Sequence, residues 1–130
     1  MRIFIDTGYY IARIMPHDQW RQAARQAVRP GMTYFTSSLV VNETISLLQA
    51  RGHFSAALTF LERVRQSETV QILYPDPVLQ SEAWDLFATF GASGANAVDC
   101  LSFAVMNRLG ILRAFTFDGH FRVAGFETLH

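Results

Sequence analysis

The first ten residues, MRIFIDTGYY (residues 1–10), set a short apolar run against a carboxylate. Arg2 to Ile5 (RIFI) reads as a buried strand, because four residues rich in β-branched and aromatic side chains suit a pleated, covered surface. It stops at Asp6-Thr7-Gly8, a turn or helix-cap signal, and Tyr9 to Ile14 then has room for one short helix before Pro16. The arrangement returns late in the chain. In LRAFTFDGHF (residues 112–121) a strand over Ala114–Phe117 gives way to an Asp118-Gly119 turn.

Between these ends, strands and helices alternate. A polar amphipathic helix is expected over His17–Arg29, closed by Pro30-Gly31, and a strand over Thr33–Phe35. Ser37 or Ser38 caps a strong helix through Leu39, Val40, Ile45, Leu47 and Leu48, which ends near Arg51-Gly52. Phe54–Arg65 reads as a helix with Leu58, Leu61 and Val64 on one side, followed by a strand over Val70–Tyr74 closed by Pro75. Residues 78–89 form a helix carrying Leu79, Trp84, Leu86 and Phe87. GASGAN (91–96) is a loop, Asn96 caps a helix over Ala97–Leu109, and Gly110 stops it. Phe126–Thr128 adds a short edge strand. Such alternation predicts an α/β fold, a sandwich around a mostly parallel sheet, in one domain over residues 1–130.

Bulk composition narrows the function classes. Half the residues are apolar and the formal net charge is zero, so neither disorder nor nucleic-acid binding through a bulk positive field is expected. All eleven basic residues are Arg, which reads as the bias of an arginine-rich genome. The single Cys100 allows no internal disulfide or zinc cluster and is expected to be a small buried residue. With no signal peptide and no run long enough to span a membrane, the expected compartment is the cytoplasm.

Four acids stand out: Asp6, Glu43 in TSSLVVNETISLL (36–48), Asp99 in GANAVDCLSFAVM (94–106), and Asp118. Asp6 and Asp118 sit at the carboxyl ends of strands, where open α/β sheets bind their ligands. Glu43 shares a helix face with Leu39 and Leu47, and so points toward the apolar side. Each acid has a plain alternative. Asp6 would cap the first helix, Asp99 would close a capping box with Asn96, and Asp118 would make an ordinary turn. One cause explains all four: carboxylates beside apolar surroundings need a compensating charge, and no Arg within those stretches supplies it at the acids. A hard cation with oxygen ligands, Mg2+ or Mn2+, fits. Water activated by such a cation hydrolyses phosphodiesters.

Four segments carry a family resemblance: FIDTGYY (4–10), TSSLVVNET (36–44), VDCLSFAVM (98–106) and AFTFDGHF (114–121). Together they resemble the PIN domain, and within it the VapC-type toxins of prokaryotic toxin–antitoxin pairs. The resemblance implies a three-layer α/β/α sandwich and a metal-dependent endoribonuclease acting on RNA, with Asp6, Glu43, Asp99 and Asp118 as the catalytic, metal-holding quartet. Thr7, Ser37, Asn42 and Thr116 match the polar positions that support it. It further implies a homodimer and a cognate antitoxin whose C-terminal segment covers the active site and holds the enzyme inactive. Val98 departs from the pattern, since Thr or Ser often stands before the third acid, and a supporting hydroxyl is lost there.

Rival readings fare less well. A receiver-type phosphoacceptor needs a lysine, and the chain has none. A haloacid-dehalogenase-like phosphatase wants Asp where Gly8 stands, and GASGAN is out of context for a phosphate loop. The alternative from another class is a catalytically silent PIN fold that only binds. His17, His53, His120 and His130 lack a nucleophile elbow; His120, directly after the Asp118 turn, reads as a solvent-facing turn histidine, with phosphate positioning as its other reading. Tyr9, Tyr10, Phe54 and Phe60 read mostly as core.

Overall fold

The computed structural model describes residues 1–129. Five strands, β1 (Arg2–Ile5), β2 (Thr33–Ser37), β3 (Val70–Leu73), β4 (Arg113–Phe115) and β5 (Glu127–Thr128), form one sheet in the order β3-β2-β1-β4-β5. Every pairing is parallel. The chain runs outward from β1 through β2 to β3, then crosses back to lay β4 on the other side of β1. A crevice therefore opens at the carboxyl ends of β1 and β4, where connections leave in opposite directions.

Strand alternation sorts side chains into two layers. Ile3, Ile5 and Phe115 face α1 (Thr7–Ile14) and α2 (Arg21–Gln26), packing with Tyr9, Ala12, Ala24 and Ala27. Phe4, Phe35 and Ala114 face the opposite way, into a larger cluster with Leu79 and Ala83 of α5 (Pro77–Phe90) and Leu101, Phe103 and Val105 of α6 (Ala97–Leu109). Helix α3 (Ser38–Ala50) gives Val40 to this larger cluster and Val41 to Phe60 and Val64 of α4 (Phe54–Gln66). The three-layer sandwich is thus observed. Helix α6 is buried continuously from Asp99 to Met106, as befits a helix apolar on every side. Gly110, at φ 67°, ends it in the left-handed conformation that glycine adopts without strain.

Several expected elements shift. The helix expected over His17–Arg29 shrinks to α2, because the Asp18 side chain accepts the Trp20 N–H at 2.8 Å and makes a turn of the segment before it. Strand β4 stops at Phe115, two residues early, because Thr116 turns to side-chain work at the crevice. Strand β2 instead runs on to Ser37. On α4 the buried set is Ala57, Phe60 and Val64, while Leu58 is exposed. Phe54 is exposed as well, and Tyr9 and Phe60 are core as expected. A single 3-10 turn over Gly91–Ser93 opens the GASGAN loop, and a four-residue helix α7 (His120–Val123) precedes β5. Cys100 is free and fully buried. No helix among the described residues is long and apolar enough to cross a membrane.

Candidate metal centre and its relatives

Asp6 stands at the N-cap of α1, yet its side chain makes no cap hydrogen bond. Thr116 takes it instead, donating its hydroxyl to Asp6 Oδ2 at 2.8 Å while accepting the Asp118 N–H at 3.0 Å. One threonine at the end of β4 therefore ties the acid after β1 to the acid after β4. The backbone braces the pair, since Asp6 N–H also donates to Phe115 C=O at 3.0 Å. Asp99 closes the capping box expected from Asn96: it accepts the Asn96 N–H at 3.0 Å, and its own N–H donates to Asn96 Oδ1 at 2.9 Å. That box fixes the carboxylate at the start of α6, facing Asp118 and His120.

Electrostatics bind the four acids into one group. Burial pushes the Asp6 carboxyl up to about 7; the Thr116 hydrogen bond opposes this, and the charges of Asp99 and Glu43 reinforce it. Burial likewise raises Asp99 to about 6, with Asp118 and Glu43 adding repulsion while the Asn96 N–H and His120 pull the other way. Glu43, half-buried on α3, therefore acts on both acids. No arginine pairs with any of the four among the described residues; the arginine ion pairs there hold Asp76, Glu82 and Glu127.

Asp99, Asp118 and His120 each offer a ligand atom, all within 4.8 Å of one another. His120 Nδ1 lies 2.7 Å from Asp118 Oδ1 and 3.9 Å from Asp99 Oδ2. Although close, the nitrogen is buried and has no aligned hydrogen-bond partner. Thr7 Oγ1 is also buried without one. Raised carboxyl pKa values, no paired arginine among the described residues and unsatisfied polar atoms make a donor set that could hold a divalent cation. The solvent-facing reading of His120 does not describe its nitrogen. The Asp-Gly-His turn is the signal for this in the sequence: Asp118 Oδ1 accepts the His120 N–H at 2.9 Å and folds the imidazole back. His130 lies outside the described residues.

The other supporting positions diverge. Ser37 spends its hydroxyl on the α3 cap, accepting the Val40 N–H at 3.2 Å, and Asn42 is exposed. Val98 packs against the larger apolar cluster.

Sheet order, crevice and acidic group together define the class. The PIN domain profile matches residues 3–127, and the chain belongs to the PIN domain family. It is 34% identical over 127 residues, 95% of each chain, to the 23S rRNA-specific endonuclease VapC20 of Mycobacterium tuberculosis. The crystal structure of that protein, described as a Sarcin-Ricin loop cleaving toxin, superposes with a TM-score of 0.88 at 33% identity, again over 95% of both chains. More distant structures share the fold. FitAcB of Neisseria gonorrhoeae has a TM-score of 0.69 at 17% identity, covering 100% of this chain and 97% of that one. VapBC-1 of nontypeable Haemophilus influenzae has 0.65 at 15%, covering 98% and 96%.

Proposed function

We propose that this chain is the endoribonuclease toxin of a toxin–antitoxin pair, acting on RNA with Mg2+ or Mn2+ held by Asp6, Glu43, Asp99 and Asp118. One observation carries the reading: a buried Asp6, bridged to Asp118 through Thr116 and charged against Glu43 and Asp99, with no arginine paired to any of them among the described residues. A bound divalent cation lowers the pKa of coordinated water and offsets charge on phosphate oxygens. The chain's own part is to hold the carboxylates in place, Thr116 orienting Asp6 and Asn96 orienting Asp99. The relationship to VapC20 supports large-subunit ribosomal RNA as the substrate, with a structured loop as target. Purified toxin should cleave such a stem-loop with Mg2+ or Mn2+, stop in EDTA, and leave 5′-phosphate and 3′-hydroxyl ends. Cyclic 2′,3′-phosphate ends would show that the RNA's own 2′-hydroxyl attacks, and would overturn the hydrolytic mechanism. Four carboxylates gathered at one crevice disfavour the silent-fold alternative, which has no use for them.

The antitoxin's seat is proposed as a groove of about 800 Å³ between α1 and α4. Tyr10, Ile14, Phe60 and Val64 form its apolar floor, with Arg13 and Arg63 at the rim. Tyr9 and Ile11, on either side of Tyr10, are buried in the core, while Tyr10 turns to the groove. An amphipathic segment with acidic flanks suits such a surface. Ala56→Arg, filling the groove from α4, should weaken antitoxin binding at least ~10-fold while RNA cleavage by the free toxin is retained. Unchanged affinity in a titration would put the partner elsewhere.

A further inference from the structure

The imidazole of His120 is held from two sides. Its Nδ1 faces Asp118 Oδ1 at 2.7 Å and Asp99 Oδ2 at 3.9 Å. Its Nε2 lies against Gly94, where an added Cβ would stand 2.8 Å away. Gly94 has φ 108°, a conformation other residues rarely adopt, so both the local backbone and the imidazole behind it call for glycine. Gly94, just after the 3-10 turn, thus acts as a back wall to the ring.

At 2.7 Å, a nitrogen and a carboxylate oxygen attract only through a shared proton or cation. No aligned hydrogen bond is made across that gap, which leaves the cation as the reading to test. Ligand atoms on one octahedral cation, with bonds of about 2.1 Å, stand roughly 3 to 4 Å apart. The two separations at His120 are close to that span.

We infer that His120 Nδ1 joins Asp99 and Asp118 in a nitrogen-containing cation site that prefers Mn2+ to Mg2+, with Gly94 as the residue that positions the imidazole. This rests on the metal-dependent reading above. Mg2+ takes oxygen ligands and dehydrates reluctantly, whereas first-row transition cations accept imidazole readily. Among them Mn2+ also suits a carboxylate-rich set.

Tag-free protein should bind Mn2+ at least ~10-fold more tightly than Mg2+ in calorimetric titrations, and bound Mn2+ should show nitrogen-14 coupling in pulsed electron paramagnetic resonance. In His120→Ala the coupling should vanish and the Mn2+ preference should fall to ~2-fold or less, with Mg2+ affinity little changed. Gly94→Ala should weaken the coupling in the same way; an intact signal there removes Gly94 from the proposal. Mn2+ binding with no nitrogen coupling, or coupling that survives His120→Ala, overturns the proposal and leaves the metal-dependent reading standing. No binding of either cation by the wild type would sink that reading itself.

Discussion

Asp99→Asn will lose RNA cleavage by at least ~10³-fold while the metal-free protein stays as stable as before, or gains up to ~2 kcal/mol. The two halves of this expectation have separate causes. Cleavage falls because a neutral amide keeps an oxygen but lacks the negative charge that holds a small, strongly hydrated cation. Stability holds because the asparagine oxygen still accepts the Asn96 N–H, so the capping box survives the change. Removing a charge that burial, Asp118 and Glu43 all disfavour relieves the empty pocket. Thermal melts in EDTA, beside single-turnover cleavage, check both halves. A loss of more than ~1 kcal/mol would mean that Asp99 is kept chiefly as a cap.

The metal-free protein will lose stability as pH rises from about 4 to about 7, and saturating Mg2+ or Mn2+ will restore much of it. The sign follows from the raised carboxyls. In the unfolded chain Asp6 and Asp99 release their protons near 3.8; in the fold they hold them to about 7 and about 6. Across that window the native state binds more protons than the unfolded one, so stability is full below the ordinary carboxylate pKa and drains away as the folded groups ionise. Each tenfold rise in proton affinity on folding is worth ~1.4 kcal/mol, so Asp6 alone accounts for a few kcal/mol. Asp76, whose pKa Leu79 N–H and Arg108 lower, works oppositely, below that window and at the exposed surface. A bound cation at ~100 times its Kd returns about 2.7 kcal/mol. Urea titrations in EDTA at pH 5, 6 and 7, repeated with metal and with Asp6→Asn, measure this. A flat profile in the wild type would deny that the acids are strained, and an unchanged slope in Asp6→Asn would place the effect elsewhere.

Much of this architecture is legible in the order of residues alone. The parallel sandwich follows from apolar runs ending at turn residues, and strong periodic elements such as α3 and α6 emerge close to their observed bounds. Errors gather where a side chain overrides the backbone pattern. Asp18 pre-empts a helical turn, and Thr116 ends a strand whose apolar rhythm runs on through Phe117. The four acids stand out because charge beside apolar residues is costly wherever it occurs. What stays hidden are contacts between distant segments: Thr116 bridging to Asp6, and Gly94 backing His120. Neither leaves a mark in local composition. At Asp99 the capping box leaves the carboxylate beside Asp118 and His120, so the capping role does not exclude the proposed cation-holding one.

The Thr116–Asp6 hydrogen bond joins residues 110 positions apart in the chain. Contacts between such distant segments slow folding, because the chain closes the loop before the contact contributes. Until β4 docks beside β1, the crevice has one wall and no gathered charge. A chain that has formed its helices but not this pairing therefore lacks the bridge that holds Asp6 and Asp118 at one crevice.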